Sequence, residues 1–204
     1  AAIAVALVAV WAAPRPVSLV VPIGQEVTWN ESQAPPRRNI VWQPARPLEG
    51  LLSGDLEGAD ILAPRLADGG SLLLCTVRHR NGHMDLFSSR FSDGRWQPVQ
   101  RLPEINSPAH DIGATISLDG RWLWFYSDRA GGLGGFDLYV SERKTNGWQA
   151  PKNLGPAINT PAHESDPAIS PDGKTLYFSS NRTAEMHQKT VRDSPETGPL
   201  PWSG

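Results

Sequence analysis

Three Asp-Gly pairs, Asp68-Gly69, Asp119-Gly120 and Asp172-Gly173, recur in matching surroundings, and this recurrence narrows the possible fold more than anything else in the chain. Ten residues after each Asp stands an arginine (Arg78, Arg129, Arg182), and eight before each stands an acid (Asp60, Asp111, Glu164). Between turn and arginine run Leu72-Leu73-Leu74, Leu123-Trp124-Phe125 and Leu176-Tyr177-Phe178, aligned without a gap. The second copy continues as Asp137-Leu138-Tyr139-Val140-Ser141, echoed by Asp85-Leu86-Phe87-Ser88-Ser89. Trp96-Gln97-Pro98 and Trp148-Gln149-Ala150-Pro151 then open new units, with Trp42-Gln43-Pro44 as an earlier copy, at spacings of 54 and 52 residues. A period near fifty, with several short strands in each unit, predicts a four-stranded propeller blade.

The residues after each Asp-Gly are apolar at consecutive positions, not alternating ones, so both faces of the sheet are expected to be covered. Stacked blades do this. A parallel α/β sheet does too, but it needs crossover helices, and no amphipathic helical stretch separates these strands. The recurring tryptophans are expected to pack between units, where burying a large aromatic contributes about 2–3 kcal/mol. Gly131-Gly132-Leu133-Gly134-Gly135 precedes the strand Phe136-Asp137-Leu138-Tyr139 and no helix follows, so it is not a dinucleotide fingerprint.

Gly173-Lys174-Thr175 has the look of the end of a phosphate-binding loop. That motif needs a leading glycine at 168 or 169, where Ala168 and Ile169 stand, and Pro171 removes a backbone donor from the nest. Asp172-Gly173 instead suits a two-residue hairpin turn whose central residues need positive φ.

Residues 96–182 resemble the WD40-like (PD40, TolB-type) β-propeller repeats of bacterial envelope proteins. The resemblance is carried by NLGPAINTPAHESDPAISPDGKTLYFSSNR and ISLDGRWLWFYSDRAGGLGGFDLYVSER, and more weakly by LADGGSLLLCTVRHR, which lacks most of the aromatic signature. It implies a non-catalytic binding platform in the periplasm or at the cell surface, engaging protein or cell-wall-associated partners. Two departures stand out. After Arg182 no glycine-rich loop and Asp-Leu-Tyr strand follow, and about three blades are visible where closed propellers have four to eight. Closure is therefore expected to need further blades or a partner chain, with the segment Val17-Ser18-Leu19-Val20-Val21-Pro22-Ile23 as another contributor.

The fold class expected is all-β: a partial β-propeller of about three four-stranded blades behind an N-terminal apolar helix. Residues 1–13, AAIAVALVAVWAA, are too few for a membrane span of about 20 but fit a signal-peptide core, or a membrane anchor if lengthened. A buried core helix is the alternative. Residues 14–41 read as a linker with a possible strand, 42–95, 96–147 and 148–182 as repeats, and 183–204 as a polar, loosely ordered tail. A net charge of -2 and the absence of a basic stripe interleaved with aromatics give no expectation of nucleic acid. The single Cys75 permits no intrachain disulfide and no cysteine-based zinc cluster, and in LLLCTV it reads as a small buried hydrophobe. No G-x-S-x-G nucleophile motif occurs. No metal or cofactor is expected.

The sharpest local pattern is Asn106-Ser107-Pro108-Ala109-His110-Asp111, repeated as Asn159-Thr160-Pro161-Ala162-His163-Glu164. His110, Asp111, His163 and Glu164 can point at a central channel to bind a ligand or metal, or act as acid and base. Their recurrence favours a structural role, with the acid capping a turn through backbone N–H groups. Arg129 and Arg182 likewise either line a rim that selects a charged ligand or pair with acids to hold strands in register. Asp85 and Asp137, following glycine-bearing loops, are of a type that can ligate calcium, against which stands the lack of the alternating oxygen ligands of a calcium loop. The expected function is a binding module whose protein or peptide ligand lies across one propeller face, on loops preceding the inner strands. The alternative is a carbohydrate-active or glycan-binding propeller using rim carboxylates, which must then converge within about 5–10 Å.

Overall fold

Strands form wherever the repeat places β-branched, aromatic and leucine residues between Asp-Gly or Gly-rich turns. The computed structural model describes residues 48–183. The expectations for the apolar residues 1–13, the linker 14–41, the copy at Trp42 and the tail beyond 183 lie outside the described residues. The first sheet comprises β1 (Asp60–Ala67), β2 (Leu72–Arg78), β3 (Met84–Ser92), β4 (Arg95–Trp96) and β5 (Gln100–Arg101). The second comprises β6 (Asp111–Ile116), β7 (Trp122–Ser127), β8 (Asp137–Lys144), β9 (Gly147–Trp148) and β10 (Lys152–Asn153). The third is the hairpin β11 (Glu164–Ile169) and β12 (Leu176–Ser180). All pairings are antiparallel, and β4 with β5, like β9 with β10, are two short segments filling one fourth strand position. The described residues thus make two four-position blades and half of a third, a partial β-propeller. Trp96 and Trp148 stand on β4 and β9, at the closing edges of their sheets.

Consecutive apolar residues are buried because they alternate between two covered faces. Leu123 and Phe125 turn toward the first sheet and share a cluster with Leu74, Leu86 and Ile105, with Trp148 packed against it. Trp124, between them in sequence, turns the other way with Val140 and meets Ile169 and Leu176 of the third sheet. Leu123, Trp124 and Phe125 are all fully buried. In β12 the residue equivalent to Trp124 is Tyr177, and it is 62% exposed.

The first strand of each sheet carries a β-bulge near its start, at the same place in the second and third sheets and one residue later in the first. Register slips between Leu62 and Arg65, Ile112 and Thr115, and Ser165 and Ala168, around positive-φ residues Ala63 (46°), Gly113 (65°) and Asp166 (51°). At Gly113 a side-chain carbon would run into the Tyr126 ring, and the freed amide donates across the seam to the Thr76 hydroxyl of β2 at 3.0 Å.

The turns differ in part from expectation. In the first sheet the two-residue turn is shifted by one residue: Ser71 N–H donates to Asp68 C=O at 3.1 Å, so its left-handed central pair is Gly69 (φ 61°) and Gly70 (φ 93°), not Asp68 and Gly69. In the second and third, only Gly120 (71°) and Gly173 (72°) are left-handed. There Gly120 N–H donates to Ser117 C=O, and Gly173 N–H to Ser170 C=O, each at 2.9 Å, making four-residue loops with the glycine last. The reason is local. Pro171 fixes φ in the right-handed region at the second turn position, and Ser117 and Ser170 cap the loop. Each hydroxyl donates to the turn aspartate, Asp119 or Asp172, and accepts from Trp122 N or Thr175 N at 2.9 Å. Lys174 belongs to this turn, its amide donating to the Asp172 carboxylate at 3.1 Å.

Candidate functional site

The two connector motifs span the seams between sheets, and each is tied at both ends. Asn106 reaches back to β3: its Oδ1 accepts from Leu86 N and its Nδ2 donates to Leu86 O, both at 2.8 Å. Asn159 does the same to Leu138 on β8, at 2.8 and 3.0 Å. A side-chain amide thereby stands in for a strand's own N–H and C=O.

Asp111 begins β6 with no solvent exposure. Its Oδ2 accepts the Ser107 amide (2.5 Å) and hydroxyl (2.9 Å), and its Oδ1 accepts Arg129 Nη2 at 2.5 Å. Glu164 begins β11 in the same way. Its Oε2 accepts Thr160 N, while its Oε1 accepts the Thr160 and Ser180 hydroxyls and Arg182 Nη2 at 3.1 Å. Each arginine is held further: Nη2 donates to a connector carbonyl, Ile105 or Ile158, and Nε to Ser127 or Ser180. Arg129 also lies over the Phe125 and Tyr139 rings, 5.0 and 4.9 Å from their centroids, and Arg182 over Phe178 at 5.3 Å. In the first sheet the equivalent Arg78–Asp60 pair closes at 2.6 Å, but its side chains are 50% and 38% exposed.

His110 and His163 cross the seams. Each donates its backbone amide to the side-chain oxygen of Asp128 or Asn181, and each Nδ1 accepts a backbone amide of the preceding sheet, Met84 N (3.2 Å) or Phe136 N (3.1 Å). The imidazoles therefore do not pair with the neighbouring acids in sequence. The 131–135 loop is glycine-rich because it presses on this motif: side-chain carbons at Gly134 and Gly135 would overlap the 160–162 backbone and the His163 ring. In the preceding seam His83 takes that place, its ring 5.4 Å from that of His110.

Two features escaped sequence reasoning. Asn106 and Asn159 open both motifs at matched positions, and that recurrence was a usable signal. The cluster of His79 and His83 around Asp85, with Arg101 on both carboxylate oxygens (2.8 and 3.1 Å), has no counterpart in the other repeats and so gave none. Among the described residues no three His, Cys, Asp or Glu side chains converge to hold a metal, and no helix is long and apolar enough to cross a membrane.

No family model and no curated protein matches the sequence. Among solved structures, the chain is similar to the putative TolB from Agrobacterium tumefaciens, at 19% identity and a TM-score of 0.47, over 67% of this chain and 41% of that one. It is also similar to TolB from Acinetobacter baumannii, at 24% identity and a TM-score of 0.42, over 57% of this chain and 25% of that one. The match thus spans less than half the length of either protein. The likeness is one of fold alone, and the propeller assignment rests on the repeated sheets and their stacking.

Proposed function

We propose that this chain provides a non-catalytic binding module to an exported or membrane-anchored protein of the bacterial envelope. Its ligand is a protein or peptide lying across the end of the stack built by the 102–110 and 154–163 connectors. The observation that carries this reading is the commitment of Asp111 and Glu164. Both are fully buried, and every carboxylate oxygen already accepts from the connector or from Arg129 or Arg182. A glycan-cleaving pair needs one carboxyl free to give a proton and another free to attack or activate water. These four side chains instead fix the connector backbone, leaving His163 exposed and His110 half-exposed as its presented groups. An envelope location is supported by the apolar residues 1–13 and by the repeat resemblance. The exposed Tyr177 face supports a further sheet or a partner chain over β12.

Photo-crosslinking from position 163, with position 118 at the opposite end as control, tests the reading in intact cells. A protein adduct specific to position 163 is expected. Adducts only from position 118 would overturn the placement. Glycan turnover abolished in Asp111→Asn/Glu164→Gln with the fold retained would overturn the non-catalytic assignment.

A further inference from the structure

Asp85 and Asp137 occupy equivalent places at the starts of their strands, and both are buried. Asp85 is neutralised by Arg101, sixteen residues on, which grips both of its oxygens. Sixteen residues after Asp137 stands Asn153, which is neutral. Asp137 Oδ2 accepts from Leu133 N (2.6 Å) and Asn153 Nδ2 (2.7 Å), but Oδ1, though buried, has no hydrogen-bond partner. The buried Tyr139 hydroxyl has none either; the Asn153 amide is near, but not in bonding geometry. Both groups border the bare side of Gly132: a side-chain carbon there would lie 2.8 Å from Asp137 Oδ2 and 3.5 Å from the Tyr139 hydroxyl. A buried carboxylate without a counter-charge is costly, and here the repeat itself shows which partner has been exchanged.

We propose that the Asp137 carboxylate, through its unpartnered Oδ1, and the Tyr139 hydroxyl bind a small hard cation, Ca²⁺ or Na⁺, where the first sheet uses a guanidinium. The donors are all oxygen, which suits these ions and not the thiolate- or imidazole-seeking metals. The bound ion holds the loop against the second seam, because Gly135 N–H donates to Ala162 C=O at 2.9 Å and Phe136 N–H to His163. This inference is independent of the proposed ligand-binding end.

The test is thermal unfolding of the full chain, stripped with chelator and held at constant ionic strength with choline chloride. CaCl₂ and NaCl are titrated in separate arms. A saturable rise in the midpoint with one of them is expected, reaching several degrees at about 100 times the dissociation constant. That rise should vanish in Asp137→Asn. If this variant does not fold, Tyr139→Phe replaces it, and at least about a tenfold weaker ion response is expected there. No saturable rise in the parent protein, or an undiminished one in the variant, overturns the site.

Discussion

Replacing Trp124 by alanine should be far more damaging than replacing Tyr177, although the two occupy the same repeat position. Trp124 is 0% exposed, packed between Val140 on its own sheet and Ile169 and Leu176 on the next. An aromatic of about 200 Å² buried at about 25 cal/mol/Å² corresponds to ~5 kcal/mol, at the upper end of measured truncations. Tyr177 is 62% exposed, so the same scale leaves less than about 2 kcal/mol. The difference, about 3 kcal/mol, is a factor of roughly 150 in the folding equilibrium. Urea unfolding followed by far-ultraviolet circular dichroism reads both, with the slope expected to stay constant and the midpoint to move. Equal losses for the two variants would refute the claim that sheet stacking, and not local strand chemistry, sets the burial of this position.

Three other outcomes follow from the same geometry. Arg129→Ala should cost about 3–5 kcal/mol because it strands the buried Asp111 carboxylate, whereas Arg78→Ala, at an exposed pair, should cost at most about 1 kcal/mol; denaturant titration giving the reverse order refutes the seam assignment. Burial pushes the Cys75 thiol up to about 12, so a thiol reagent at pH 8 should label it only after denaturation, and prompt labelling of the folded protein contradicts its placement in β2. The Asp119 and Asp172 carboxyls are held below their ordinary value of 3.8, first by the Ser117 and Ser170 hydroxyls. A depressed folded-state value means stability fully in place above the ordinary 3.8 and lost as pH falls from there through the depressed value; Ser117→Ala with Ser170→Ala should flatten this acid limb, measured as unfolding midpoint against pH, and an unchanged limb sinks the capping account.

What repeated in chemical type was legible in the sequence. Leucine and aromatic runs after Asp-Gly announced strands covered on both faces, and the arginines and acids at fixed offsets announced elements that meet in space. The bulges were not legible, because Ala63, Gly113 and Asp166 share a backbone angle and no side-chain chemistry. The turn type was obscured for a related reason: Asp-Gly suits two loop geometries, and Ser117 with Leu118, or Ser170 with Pro171, selects between them. At the connectors the sequence put histidine beside an acid, but the strand's alternation sends His110 and Asp111 to different partners. The difference between Asp85 and Asp137 lay sixteen residues downstream, where only the sheet brings Arg101 or Asn153 back to them.

The connector ties have a consequence for the order of assembly. Asn106, Arg129 and His110 reach partners only 18 to 26 residues away, and Asn159, Arg182 and His163 reach theirs within 27. Each junction can therefore be completed as soon as a short further length of chain has emerged, without waiting for distant sequence. A molecule delivered end first, from the ribosome or through a membrane pore, can lay down its blades one after another, each finished surface serving as the template for the next.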